Sequence, residues 1–377
     1  MSYTVFNHEH VNRLKEPMFL GAGGNVLRFD VQKYSVFERL TDKQLSFFWR
    51  PEEVNLTQDA IDFKKLPSHE QHIFTSNLRL QTLADSMAGR AISTSLVAAT
   101  SLPELETWYE LVAGWEAAIH AKSYSHIIRN IYNSPDEIFD GILDIPEVVA
   151  RASQMGNLFD DAINYSERCR VLGFGVHTVD GKTVELDIVT LKALLYKAIV
   201  ALYILEGVRF FSSFACSFAF AERELMEGNA KIIKLICRDE MLHALGGENV
   251  LNILHAGHDM PELVDLMPEL QAEAVKLFKE AAEEEKAWAQ FLFKDGSMIG
   301  LNDKILGHYI EYITNQRMVA VGLPPIYKER TNPLPWMDTW LDSDSVQVAP
   351  QETEISSYLV GAIDTTMDDG EFEGFEL

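Results

Sequence analysis

Apolar residues recur at intervals of three and four along most of this chain, the spacing of helices that share one buried face. Ser68, after Pro67, is placed to cap a helix that passes Asp85 and ends near Gly89. Pro103 suits the first turn of another, with Glu104 and Glu106 where acids favour the helix dipole. That helix can run to Asn133-Ser134-Pro135. The pattern predicts further helices over about 147–170, 188–225, 226–255, 260–287 and 301–320. One segment alternates instead: His177 to Val184 sets β-formers on either side of Asp180-Gly181, the signal of a tight hairpin. A lone hairpin is marginal by itself, so it is expected to decorate a helical body. The most apolar stretch, Leu195 to Ala221, is interrupted by Lys197, Glu206 and Arg209, and reads as a buried helix rather than a membrane span. No fixed-period repeat and no dividing linker appears before the end of the chain.

The end differs. From Leu341 to Leu377 there are ten acidic residues and no Lys or Arg, a composition expected to stay flexible alone. Tyr358-Leu359-Val360, Phe372 and Phe375 are its apolar points. The expected organisation is therefore one helical domain over 1–340 and a tail over 341–377.

Composition narrows the function. The 377 residues are 47% hydrophobic, enough for a substantial core. The net charge of −25 argues against nucleic acid, since phosphate binding needs clustered Lys and Arg. Cys169, Cys216 and Cys237 are far apart and form no C-x-x-C, so reduced thiols in a cytoplasmic compartment are expected. The first residues carry neither the basic nor the apolar region of a secretory signal.

Against that background, four acidic residues stand out. Glu240 and His243 lie three apart, and Glu116 and His120 four apart, so each pair can share a helix face. Asp85 and Glu206 sit singly in apolar helical stretches. A single E-x-x-H is most often a solvated polar face, and Arg209 is placed to pair with Glu206 at i+3. Yet Glu206 lies between Ala201–Leu205 and Phe210-Phe211, where an unpaired carboxylate costs several kcal/mol, roughly. Four carboxylates and two imidazoles turned into a helical bundle form the ligand set of a dinuclear metal site. Carboxylates bridge cations, and imidazole suits iron or manganese. Tyr124 follows His120 by four residues, and Phe210 and Phe214 follow Glu206 at i+4 and i+8. Packing alone explains such aromatics. Around a metal pair they also make a dry wall.

Longer runs carry a specific resemblance. Leu14–Phe19, Gln44–Glu53, Pro103–Trp108, Ser123–Asn130, Ser213–Ile233 and the tail from Val348 through Val360 resemble the small, radical-generating subunit of aerobic class Ia ribonucleotide reductase, of the enterobacterial and T-even-phage type. The likeness covers nearly the whole chain. It implies an all-α, ferritin-like bundle and a homodimer, with two iron ions per chain; manganese uses the same ligands. By this resemblance Asp85, Glu116 and His120 hold one metal and Glu206, Glu240 and His243 the other, with Glu116 and Glu240 bridging. Tyr124 carries a tyrosyl radical, made as the metals reduce dioxygen. Phe210, Phe214 and Ile236 surround it. Trp49 and Asp239, with His120, begin a route to a large catalytic subunit, which binds the tail and uses Tyr358 as relay. Neither nucleic acid nor membrane is an expected partner. The rivals are a di-metal oxidase with its own apolar substrate channel and a ferritin-like iron store.

One position departs from the family. Its first pair reads E-x-x-H, whereas Glu116 and His120 enclose three residues. An extra residue turns a helix by about 100°. A π-bulge around Ala117-Ala118 is expected to absorb it and to return Glu116 to the metals.

Overall fold

The structure is a computed structural model that describes residues 5–23 and 26–342. The tail residues Tyr358, Phe372, Phe375 and Leu377 lie outside the described residues. Three short helices come early or between the long ones: α1 (Val36–Ser46), α2 (Thr57–Lys65) and, after the long α3 (Ser68–Ala91), α4 (Pro103–Trp115) and α5 (Ala121–Ile131), the short α6 (Pro135–Asp140). Then follow α7 (Pro146–Leu172), strands β1 (Gly175–Val179) and β2 (Lys182–Leu186), α8 (Ile188–Ile204), α9 (Phe210–Ala221), α10 (Glu227–His255), α11 (Met267–Leu292), α12 (Asp303–Ala320) and α13 (Trp336–Leu341).

The starts of these helices have local causes. Asp187 accepts the Thr190 N–H and caps α8, and Asn302 accepts the N–H groups of Lys304 and Ile305 and caps α12. Pro103 opens α4 as expected, but Glu104 serves another segment: its carboxylate accepts the N–H groups of Lys33 and Tyr34. Ser68 is the first residue of α3 and makes no side-chain cap. The helix expected from 260 begins only at Met267, because Pro261–Leu263 forms a separate 3₁₀ turn. The hairpin pairs His177 with Val184 antiparallel, and its turn places both Asp180 (φ 51°) and Gly181 (φ 75°) in the left-handed region. That is the geometry of a two-residue hairpin turn matching the strand twist.

Four helical tracts form the centre: α3, α4 with α5, α8 with α9, and α10. Their buried faces explain the assembly. On α10, Ile233, Ile236, Cys237, Glu240, His243, Ala244 and Gly247 are all buried at three- and four-residue steps. Ile188–Ala221 is long and apolar enough to cross a membrane by composition. Here it runs through the interior, with Leu195 to Phe220 buried almost throughout.

Three stretches widen from α to π geometry: Ile92–Leu96, Glu116–His120 and Leu205–Arg209. The second joins α4 to α5 and the third joins α8 to α9. The reason lies in the spacing. Val112, Glu116, His120 and Tyr124 are all buried at steps of four. In an α-helix each such step drifts by about 40°, so the four diverge from one face. A wider turn removes that drift. Gly89 of α3 makes room for the bulge: a Cβ there would stand 3.2 Å from the Ala113 carbonyl oxygen and 3.3 Å from the Glu116 Cβ.

Candidate metal centre

The central tracts bring six side chains together, all of them buried: Asp85 from α3, Glu116 and His120 from the second π segment, Glu206 from the third, and Glu240 and His243 from α10. The two π segments that contribute are Glu116–His120 and Leu205–Arg209, the second and third along the chain, and the six side chains form two groups of four. Asp85, Glu116, His120 and Glu240 offer ligand atoms within 4.8 Å of one another, and so do Glu116, Glu206, Glu240 and His243. Glu116 and Glu240 belong to both.

The contacts define how those two carboxylates lie. Glu116 presents Oε2 to His120 Nδ1 at 3.4 Å and Oε1 to His243 Nδ1 at 3.1 Å. Glu240 presents Oε1 to His120 Nδ1 at 3.1 Å and Oε2 to His243 Nδ1 at 3.4 Å. Each carboxylate therefore spans the two imidazoles, one oxygen toward each. The π-turn expected near Ala117-Ala118 is present as Glu116–His120, and it delivers Glu116 to this position.

Electrostatics supply the fit test for a metal. Both oxygens of Asp85 and Oε1 of Glu206 have no hydrogen-bond partner among the described residues. Arg209 does not compensate Glu206. It is committed to Glu284 at 2.7 Å and Glu285 at 3.3 Å. Burial, and then the charge of Glu116, hold the Asp85 carboxyl well above its ordinary range, and burial does the same to Glu206. Burial also pushes Glu116 up, but the charges of His120 and His243 outweigh it and hold this carboxylate low. Burial alone lowers an imidazole, yet the carboxylates push His243 up to about 10 and raise His120 strongly. Protons on the imidazoles thus offset part of a negative charge that cations offset better. Hard oxygen donors with two imidazoles fit a pair of ions such as iron or manganese.

Asp239 anchors the outer side. Its Oδ2 faces His120 Nε2 at 3.2 Å and accepts the indole N–H of Trp49 at 2.8 Å and of Trp115 at 3.0 Å. Oδ1 accepts the Gln44 amide at 3.1 Å. Such a carboxylate fixes the ring and leaves Nδ1 free to ligate. Trp115 was not among the residues expected here: nothing in the sequence shows that the residue before Glu116 reaches a carboxylate 124 positions later. Tyr124 is fully buried, and its hydroxyl has no hydrogen-bond partner among the described residues. Burial, and then Asp85, raise its phenol well above the ordinary value. Phe210 and Phe214 stack at 5.9 Å, and both are buried in the same core as Ile236 and Tyr124. A cavity whose lining includes Ala84, Leu205, Arg209, Phe210 and Ser213 involves the chain neighbours of Asp85 and Glu206. Its volume, about 20 Å³, is room for a water-sized molecule.

Comparisons with known proteins agree with one another. The family model described as "Ribonucleotide reductase, small chain" matches residues 28–333. Ribonucleoside-diphosphate reductase 1 subunit beta of Escherichia coli O157:H7 is 53% identical over 377 residues, the whole of both chains. The subunit beta of Enterobacteria phage T4 is 43% identical over 97% of each. Among solved structures, a ribonucleotide reductase subunit from Clostridium botulinum superposes with a TM-score of 0.76 at 25% identity, covering 90% of this chain and 98% of that one.

Proposed function

Because the chain belongs to the ribonucleotide reductase small-chain family, we propose that it is the beta subunit of a ribonucleoside-diphosphate reductase, an oxidoreductase, and that it generates a radical on Tyr124 for a separate large subunit. The observation that carries this reading is the pair of interlocked ligand groups next to a fully buried phenol on which Asp85 acts directly. Asp85, Glu116 and His120 would hold one ion and Glu206, Glu240 and His243 the other, with Glu116 and Glu240 across both. When bound, an iron pair supplies the electrons that reduce dioxygen and leaves the centre oxidising enough to take one more.

The chain's own residues do the rest. Tyr124 gives up an electron and, being a neutral phenol, must release its proton. Asp85 bears on that phenol and is the acceptor we assign. Phe210, Phe214 and Ile236 keep water and reductants from the ring that remains. Asp239 holds His120 by Nε2 and Trp49 by its indole N–H, which makes a continuous hydrogen-bonded line outward from the centre. We place the subunit in the cytoplasm as a homodimer.

Metal-depleted protein mixed with ferrous iron and air is expected to retain about two irons per chain, the capacity of a paired site, and to give a phenoxyl signal in electron paramagnetic resonance. Uptake of a single ion, or of iron by the hundred as in a storage cage, would sink the reading.

The tail makes a separate expectation. Truncation after Val348 is expected to leave metal content and the Tyr124 signal unchanged while abolishing capture by a matching large subunit. Tyr358→Phe removes only a hydroxyl, so capture should persist while turnover fails. Normal turnover by that variant would reduce the tail to a tether.

A further inference from the structure

We propose that Trp115 is a second electron donor to the centre, a branch that leaves the Trp49 line at Asp239. The inference rests on the metal-centre reading above. Trp49 and Trp115 give their indole N–H groups to the same oxygen, Asp239 Oδ2, at 2.8 and 3.0 Å, and that oxygen faces His120 Nε2 at 3.2 Å. Both rings are therefore one carboxylate away from the same imidazole. A carboxylate at the N–H edge favours the positive charge that remains when an indole loses an electron. Whatever qualifies Trp49 as a relay qualifies Trp115.

The two rings differ in where they lead. Trp49 is fully enclosed, whereas Trp115 is 5% exposed. Trp115 also packs edge-on against Phe48 at 6.0 Å, and Phe48 is 45% exposed. Trp115 is thus the branch nearer solvent. The electron balance of the reaction gives it work. Reduction of one dioxygen to water takes four electrons. Two ferrous ions supply two and Tyr124 supplies one, so one more must enter from outside.

The step balances as follows. The Trp115 indole would lose one electron, by way of Asp239 and His120, to the metal pair that the six ligands would hold and whose reaction with dioxygen would supply the oxidation. The ring becomes a radical cation, and its N–H proton stays in the hydrogen bond to Asp239 Oδ2. A soluble one-electron reductant, ferrous ion or ascorbate, then refills the ring.

The test removes competing donors. Protein with ring-deuterated tryptophan is loaded with ferrous iron, mixed with dioxygen, frozen within milliseconds and examined by electron paramagnetic resonance. In Trp49→Phe/Tyr124→Phe an indole radical is expected, narrowed by the deuterium label, and it should vanish when Trp115→Phe is added. A loaded, oxygen-consuming Trp49→Phe/Tyr124→Phe protein with no indole signal overturns the proposal. The single variant Trp115→Phe covers the case in which multiple substitutions spoil the site. With iron content at the wild-type level and ascorbate limiting, its Tyr124 radical yield should fall about twofold or more, and an unchanged yield also overturns the proposal. If the unmodified protein binds no metal pair or gives no phenoxyl signal, the functional reading fails first and takes this one with it.

Discussion

Tyr124→Phe is expected to abolish ribonucleotide reduction while leaving a folded, metal-loaded protein. The hydroxyl it removes has no hydrogen-bond partner among the described residues, and the ring it leaves fills the same fully buried space. Burying an unsatisfied hydroxyl costs about 1–3 kcal/mol. The variant should therefore unfold at the same temperature as the parent or slightly above it. None of the six metal-facing residues changes, so iron uptake should match as well. What disappears is the phenol, and with it the phenoxyl signal and all turnover. The check is a thermal melt, a metal assay and a paramagnetic resonance spectrum on one preparation. An unaltered phenoxyl signal would transfer the radical elsewhere. Tyr109 is the first place to look, since its phenol is also buried and is raised further by the charge of Glu206.

Glu240→Ala is expected to do the opposite: it spares Tyr124 and destroys the centre. Glu240 belongs to both ligand groups and reaches both imidazoles, so its loss weakens two ions at once. Loss of a carboxylate that merely orients a ligand costs about 10–100-fold in affinity, and loss of one that reaches both ions should exceed that. Metal-free Glu240→Ala should still fold, because it has one fewer carboxylate crowded into a low-dielectric interior. The paired oxidised centre should be missing from its spectrum. His243→Ala should follow the same course. Full metal content in both variants would refute the ligand assignment.

Acidity modulates this binding in a definite direction. In the metal-free protein His243 is pushed up to about 10, His120 is also raised, and Asp85 and Glu206 are raised carboxyls. Each of the four holds its proton more tightly than an ordinary imidazole or carboxyl does, and metal loading works against that hold. The free protein thus carries more protons than the loaded one, and apparent metal affinity should rise with pH and fall as pH drops. A titration of metal uptake with a pH electrode in the same vessel reads the protons directly.

Much of this was legible in the sequence, for traceable reasons. Glu240 and His243 fall on an unbroken α-helix, where three residues of spacing give one face. Asp180-Gly181 named its own turn. The π segment at Glu116–His120 announced itself because a family spacing offered a ruler, and one extra residue showed against it. Its counterpart at Leu205–Arg209 gave no such sign, since Glu206 has no partner close in sequence to count from. Arg209 was legible as a nearby cation, but its choice of Glu284 and Glu285 depends on α11, more than seventy residues away. α1 and α2 are 11 and 9 residues long, too short for periodicity alone to declare them. Trp115 was invisible for the same reason as Arg209: a contact between distant segments leaves no local pattern.

The bulge at Glu116–His120 also bears on how such a chain changes over generations. Inserting a residue into a buried helix ordinarily rotates every side chain beyond it off its face, and selection removes it. A wide turn such as Glu116–His120 offers a place to take up that rotation, and Val112, Glu116, His120 and Tyr124 are all buried across it. The metal-facing wall is therefore one place in the core where an insertion or deletion can be inherited without cost to the neighbours. Lineages of this subunit should differ in length there while agreeing on either side, and a search that demands fixed spacing between acid and imidazole will overlook members that kept the chemistry intact.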